Sequence, residues 1–92
     1  MDIQHTSTDT KGEFYIEKDG ERIAEMTYSK AGSSRIIIDH TEVFEEGRGK
    51  GYGKRLVKHG VQFARENDLK VVPLCPYAKA IIMKNDDLKD VL

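Results

Sequence analysis

Apolar and polar residues alternate from Gly12 to Lys18, with Phe14 and Ile16 on one face and Tyr15 and Glu17 on the other. That is the period of a half-buried strand. Asp19-Gly20 follows, a dipeptide suited to a two-residue type I′ hairpin. A second strand over roughly Glu21 to Ser29 sets Ala24, Met26 and Tyr28 on one face, and Lys30 to Ser33, with Gly32, makes the next turn. The third strand runs from Arg35 to about Phe44. Its run Ile36-Ile37-Ile38 predicts a central strand covered on both faces. The first half is expected to be a three-strand antiparallel meander.

The period then changes. Between about Gly51 and Glu66 the apolar positions Leu56, Val57, Val61 and Ala64 fall on one face of a helix. Gly60 lies inside that face at a cost of about 1 kcal/mol relative to alanine, which close approach to the sheet would explain. Asn67-Asp68 ends the helix, and Leu69 to Leu74 reads as a short strand that Pro73 makes an edge or an interrupted one. Strand, helix, strand is a βαβ unit, so the third and fourth strands should run parallel with a right-handed crossover. A second helix is predicted from Pro76, with Ala78, Ile81 and Ile82 as its apolar face, and Leu88, Val91 and Leu92 as a docking tail. The polar start, Met1 to Lys11, is expected to fray, and His5 and His59 read as surface residues. The fold class is α/β (α+β): a three-strand meander followed by a βαβ unit and a second helix, in one domain over residues 1–92.

Composition narrows the function. A formal charge of −1 argues against a general nucleic-acid or membrane-surface binder, although basic residues cluster between Arg48 and Lys58. The single cysteine, Cys75, excludes an internal disulfide and a cysteine-rich zinc site, and no arrangement of His, Asp, Glu and Cys suggests a metal. No apolar run has the length of a signal-peptide core or a membrane span, so a cytosolic protein is expected.

The stretch Glu46 to Arg55 carries the strongest chemical signal. Four of the chain's eight glycines alternate there with bulky or basic residues, directly before the first helix. Glycines let the backbone approach a ligand closely, and a helix N-terminus supplies unpaired N–H groups and partial positive charge. Together they describe a phosphate cradle. The spacing is not that of a Walker A loop, because Arg55 follows Gly53-Lys54 and no glycine stands at the required earlier position. Nor is it the G-x-G-x-x-G of a dinucleotide site, since Lys54 or Leu56 falls where the last glycine belongs. The third strand carries His40 and Glu42, two apart and so on one face, to the same sheet edge as this loop; the fourth carries Cys75 there.

Arg48-Gly49-Lys50-Gly51-Tyr52-Gly53 has the pattern R-x-x-G-x-G and resembles the acetyl-CoA motif of the GCN5-related N-acetyltransferases. Asp39-His40-Thr41-Glu42-Val43 and Val71-Val72-Pro73-Leu74-Cys75-Pro76-Tyr77 extend the resemblance toward a small, single-domain YidJ-like subgroup, over about Phe14 to Leu92. The resemblance implies a minimal form of that fold, without the two helices that follow the first strand in larger members, and acetyl-CoA held between the third and fourth strands. Donors from Arg48 through Gly49, Lys50, Gly51, Tyr52 and Gly53 to Lys54 would take the pyrophosphate, Lys79 another phosphate, and backbone groups around Val43 and Phe44 the pantetheine amides. The acetyl group would lie near Cys75. Transfer to an amine (a protein lysine, a polyamine or a small amine) would then be direct, with His40 or Glu42 as base, or would pass through Cys75. Tyr77 would be the acid toward the departing thiolate. A coenzyme A-binding module with little turnover, and more distantly a nucleotide-binding adaptor, are the other readings.

Overall fold

The computed structural model describes residues 2–92. One five-stranded sheet forms the frame: β1 (Gln4–Ser7), β2 (Lys11–Lys18), β3 (Glu21–Ala31), β4 (Arg35–Val43) and β5 (Lys70–Pro73), side by side in chain order. The first four strands pair antiparallel and β5 joins β4 in parallel, as a βαβ unit requires. The hairpin at Asp19-Gly20 has positive φ at both residues, 53° and 82°, the geometry that a type I′ turn demands. Pro73 sits on the edge strand, where its missing N–H deprives no neighbour.

Two elements differ from the expectation. The segment Met1 to Lys11, read as a frayed end, contains β1, and Lys11 already opens β2; Met1 itself lies outside the described residues. An aromatic cluster pins the new strand. The His5 ring stacks on Phe14 at 4.1 Å and meets the edge of Phe63 at 4.9 Å, and His5 Nε2 is 2.8 Å from the Tyr28 hydroxyl. His5 therefore belongs to a packed cluster, and His59 touches Phe14 at its rim. The second difference is coverage. Ile36 and Ile38 are buried, whereas Ile37 is only half-buried, because one face of the sheet carries no helix.

Helix α1 (Tyr52–Glu66) and helix α2 (Pro76–Lys84) lie on the other face, with a closing 3₁₀ segment, Asp86–Val91. Leu56, Val57, Val61 and Ala64 of α1 are buried against Phe14, Ile16, Met26, Tyr28, Ile36 and Ile38 of the sheet, and Ala78 and Ile82 of α2 join the same core. Gly60 is the closest point of this contact: a Cβ there would fall 2.6 Å from Met26 Cε. Leu88 and Val91 of the tail are buried as well, whereas Leu92 is exposed.

A β-bulge in β4 decides which residues reach the helical face. Tyr28 lies opposite Ile38 but its neighbour Thr27 lies opposite His40, so Asp39 is an extra residue. Before the bulge, Ile36 and Ile38 share the helical face. After it, Thr41 and Val43 do, opposite Met26 and Ala24, while His40 and Glu42 oppose Thr27 and Glu25 on the bare face.

Candidate active site

Strands β4 and β5 stay paired only from Arg35 opposite Lys70 to Ile38 opposite Pro73. Beyond that point the chain leaves β5; the Cys75 N–H makes a last bond to the Ile38 carbonyl, and α2 begins. β4 continues to Val43. The Phe44 N–H turns back to the Ile23 carbonyl on β3, so by alternation the main-chain groups of Thr41 and Val43 point away from β3, into the gap left by β5. A cleft results.

The glycine loop closes its far end. A 3₁₀ turn, Glu45–Gly47, leads into it, and Gly49 and Gly51 hold φ of 79° and 75° with open space where a Cβ would stand. Gly51 is the N-cap of α1. It has no side chain to cap with, and the first turn of α1 carries no acidic residue. The N–H groups of that turn, such as those of Gly53 and Lys54, point outward at the positive end of the helix dipole. A cavity of ≈ 310 Å³ lies there, lined by Thr41, Val43, Gly47, Arg48, Gly49, Gly51, Tyr52, Gly53 and Tyr77. The Tyr77 hydroxyl rests on Gly53, where any Cβ would collide with it, and its ring is 45% exposed at the mouth. A hollow of ≈ 500 Å³ on the bare face, between Thr6, Glu13, Thr27, Ser29 and Asp39, is larger. It has no helix N-terminus or glycine loop in its lining, so the smaller cleft is the better anion site.

Cys75 stands behind the cleft wall, 6% exposed, as the N-cap of α2 with Pro76 at its first position. Its Sγ is 3.6 Å from the Thr41 hydroxyl. Burial pushes the thiol pKa up, but the Ala78 N–H, the Thr41 hydroxyl and the N–H groups of Tyr77 and Thr41 together pull it further down. The net value lies below the ordinary thiol range, as expected of a sulfur at a helix N-terminus.

The cleft thus gathers Val43, Arg48, Gly49, Gly51, Tyr52, Gly53 and Tyr77 of the residues expected from sequence, with Cys75 touching its wall at Thr41. Arg48 Nε lies 3.4 Å from the Val43 carbonyl, tying the loop to the strand end. Lys50, Lys54 and Lys79 are exposed and outside the lining. Phe44 requires a correction. Its N–H bonds the Ile23 carbonyl and its carbonyl accepts from the Gly47 N–H, so its main chain faces β3 and the turn and not the gap left by β5. His40 and Glu42 are corrected in placement: both are exposed on the bare face, across the strand from the thiol, because the bulge reverses the alternation. Thr41 was missed for the same reason. The chain carries no clear signal of it, since Ile36, Ile37 and Ile38 are apolar in both phases and Val43 fits either.

Comparison with known proteins identifies the fold. The family model of the GCN5-related N-acetyl-transferases matches residues 13–91. This chain belongs to that family. A GCN5-like protein of Staphylococcus aureus, solved in solution and described as a candidate N-acetyltransferase, is 39% identical, with a TM-score of 0.73 over 96% of this chain and 85% of that one. Protein NATD1 of Xenopus tropicalis is 34% identical over 62 residues, covering 67% of this chain and 57% of that protein, so the match spans little more than half of the relative. A Bacillus anthracis protein described as a candidate streptothricin acetyltransferase, solved with acetyl coenzyme A, shares the fold at 19% identity and a TM-score of 0.59, over 72% of this chain and 39% of its own. Family membership accounts for the mixed sheet with its two helices.

Proposed function

We propose that this chain is an acetyl-CoA-dependent N-acetyltransferase acting in the cytosol, and that the acetyl group passes through Cys75. One observation carries the reading: a phosphate cradle and an unpaired strand edge share one cleft, and a hydrogen-bonded thiol stands against its wall at Thr41. The pyrophosphate would rest on the N–H groups from Arg48 to Lys54. The pantetheine amides would pair with the Thr41 carbonyl and the main chain of Val43, in the manner of an added strand. The thioester then reaches Cys75.

The Cys75 thiolate attacks the acetyl carbonyl carbon; the new C–S bond forms as the bond to coenzyme A breaks, and coenzyme A leaves as a thiolate that takes a proton from Tyr77 or solvent. A neutral amine next attacks the acetyl-cysteine, forming the amide and returning the Cys75 thiolate, and the amine's proton goes to solvent, or through water to His40 or Glu42 across the strand. Intact mass after incubation with acetyl-CoA tests the first step. An acetyl adduct that is absent from Cys75→Ala supports it; no adduct together with full activity in Cys75→Ala removes the covalent route and leaves direct transfer. An NMR titration with acetyl-CoA tests the ligand, and unmoved signals from Val43 to Lys54 and at Cys75 would sink it. The bare sheet face, which offers an acceptor no enclosing wall, favours the second reading of a coenzyme A-binding module. That reading predicts binding without amine acetylation.

A further inference from the structure

The bulge in β4 has a chemical consequence at the sulfur. With strict alternation His40 and Glu42 would stand beside Cys75 and Thr41 would face outward. The extra residue Asp39 gives Thr41 the inward place instead. Its hydroxyl is then 3.6 Å from Cys75 Sγ, its N–H is directed at the same atom, and its side chain forms part of the cleft wall between the strand and Tyr77. A hydroxyl can accept from the thiol and, once the proton has gone, turn and donate to the thiolate. A β-branched residue in a strand also has few rotamers, so the oxygen is held in place cheaply.

We propose that Thr41 is the positioning residue of the Cys75 thiol, holding Sγ against the cleft wall through its hydroxyl and main-chain N–H and donating to the sulfur when the proton has left. The purpose of the device rests on the acyl-transfer reading. Its geometry does not, since oxygen and sulfur meet with no acyl donor bound. The titratable side chains on the elements that meet at the sulfur are Arg35, Asp39, His40 and Glu42 on β4, Lys70 on β5, Arg48 in the loop, and Tyr77, Lys79 and Lys84 on α2. The groups that hydrogen-bond it are the Thr41 hydroxyl and the N–H groups of Thr41, Tyr77 and Ala78, none of them a charged side chain.

The test is the pH profile of Cys75 alkylation by iodoacetamide, in the full chain without acetyl-CoA. Thr41→Val keeps the branched shape and loses the hydroxyl; its midpoint is expected to rise by about one pH unit, which is about tenfold less thiolate at neutral pH. Thr41→Ser is expected to return the midpoint close to that of the unmodified protein. A midpoint unmoved in Thr41→Val, or moved as far by Thr41→Ser, overturns the proposal. In the unmodified chain, the Thr41 amide shifts should titrate with the same midpoint as Cys75 ¹³Cβ, and separate midpoints overturn it whether or not the variants fold. The two readings fail separately. A moved profile with no acetyl adduct removes the covalent route and keeps the role of Thr41, whereas an adduct with an unmoved profile does the opposite.

Discussion

Gly60→Ala sets two terms of known sign against each other inside the core. Alanine gains about 1 kcal/mol of helix propensity over glycine. Its Cβ, however, would sit 2.6 Å from Met26 Cε and 3.8 Å from Phe14 Cε2. Met26 is fully buried, so its methyl must find another rotamer among packed neighbours or α1 must lift from β3. Overpacking of this kind costs about 1–3 kcal/mol. The net expectation is a loss of about 0–2 kcal/mol, and at about 4–8 °C per kcal/mol for a chain of this size, a lower melting temperature. A double-mutant cycle isolates the cause. Met26→Leu, a nearly volume-conserving change costing less than about 1.5 kcal/mol, removes the Cε atom that meets the new Cβ. In that background Gly60→Ala should become neutral or stabilising, with a coupling of about 1–3 kcal/mol read from urea midpoints at constant m-value. An equal cost in both backgrounds would refute the reasoning, because it would mean that Met26 is not why position 60 is glycine.

Three further expectations concern other parts of the chain. Gly51→Ala meets no steric obstacle but must hold φ near 75°, so it should lose about 1–2 kcal/mol of stability; Gly51→Asn should lose less, and equal melting temperatures for the two would contradict this. Contact with Phe14 partly desolvates the His5 ring, and His59 and Lys30 lie near it; these in that order hold its pKa below 6.5. The fold therefore favours the neutral ring, and the stability β1 adds is intact above that value and declines as pH falls through it, a slope that hydrogen exchange should show and His5→Phe should flatten. In the tail, Leu88→Ala should cost about 2–5 kcal/mol, more than breaking the solvent-screened surface pair of Arg65 and Asp90; the reverse order in thermal melts would mean that charge and not burial docks this segment.

The parts of this architecture that rest on a repeating period were readable from the chain. The 3.6-residue period of α1, the Asp19-Gly20 hairpin and the parallel pairing of β4 with β5 all follow from local patterns that agree with the final packing. β1 was hidden because its residues Gln4 to Ser7 are polar and exposed, and it is held by contacts from His5 to Phe14, Tyr28 and Phe63 that are distant in sequence. The glycine loop and Cys75 were legible through residue type and spacing. The faces of His40, Thr41 and Glu42 were not, because one unpaired residue reverses every assignment that follows it, and the pattern before the bulge gives no sign of it. Phe44 was misplaced for a related reason, since its hydrogen bonds are set by the turn to β3 and not by its own side chain.

The parting of β4 from β5 leaves a notch in a sheet that is otherwise one strand thick. A group seated in such a notch can be approached from both sides of the wall. A long molecule lying along the helical side and a second one arriving over the bare side would touch only at that opening, and neither would have to leave for the other to enter. On the covalent route the acceptor could then arrive before coenzyme A has left, and the two partners could differ widely in size and charge without competing for the same walls.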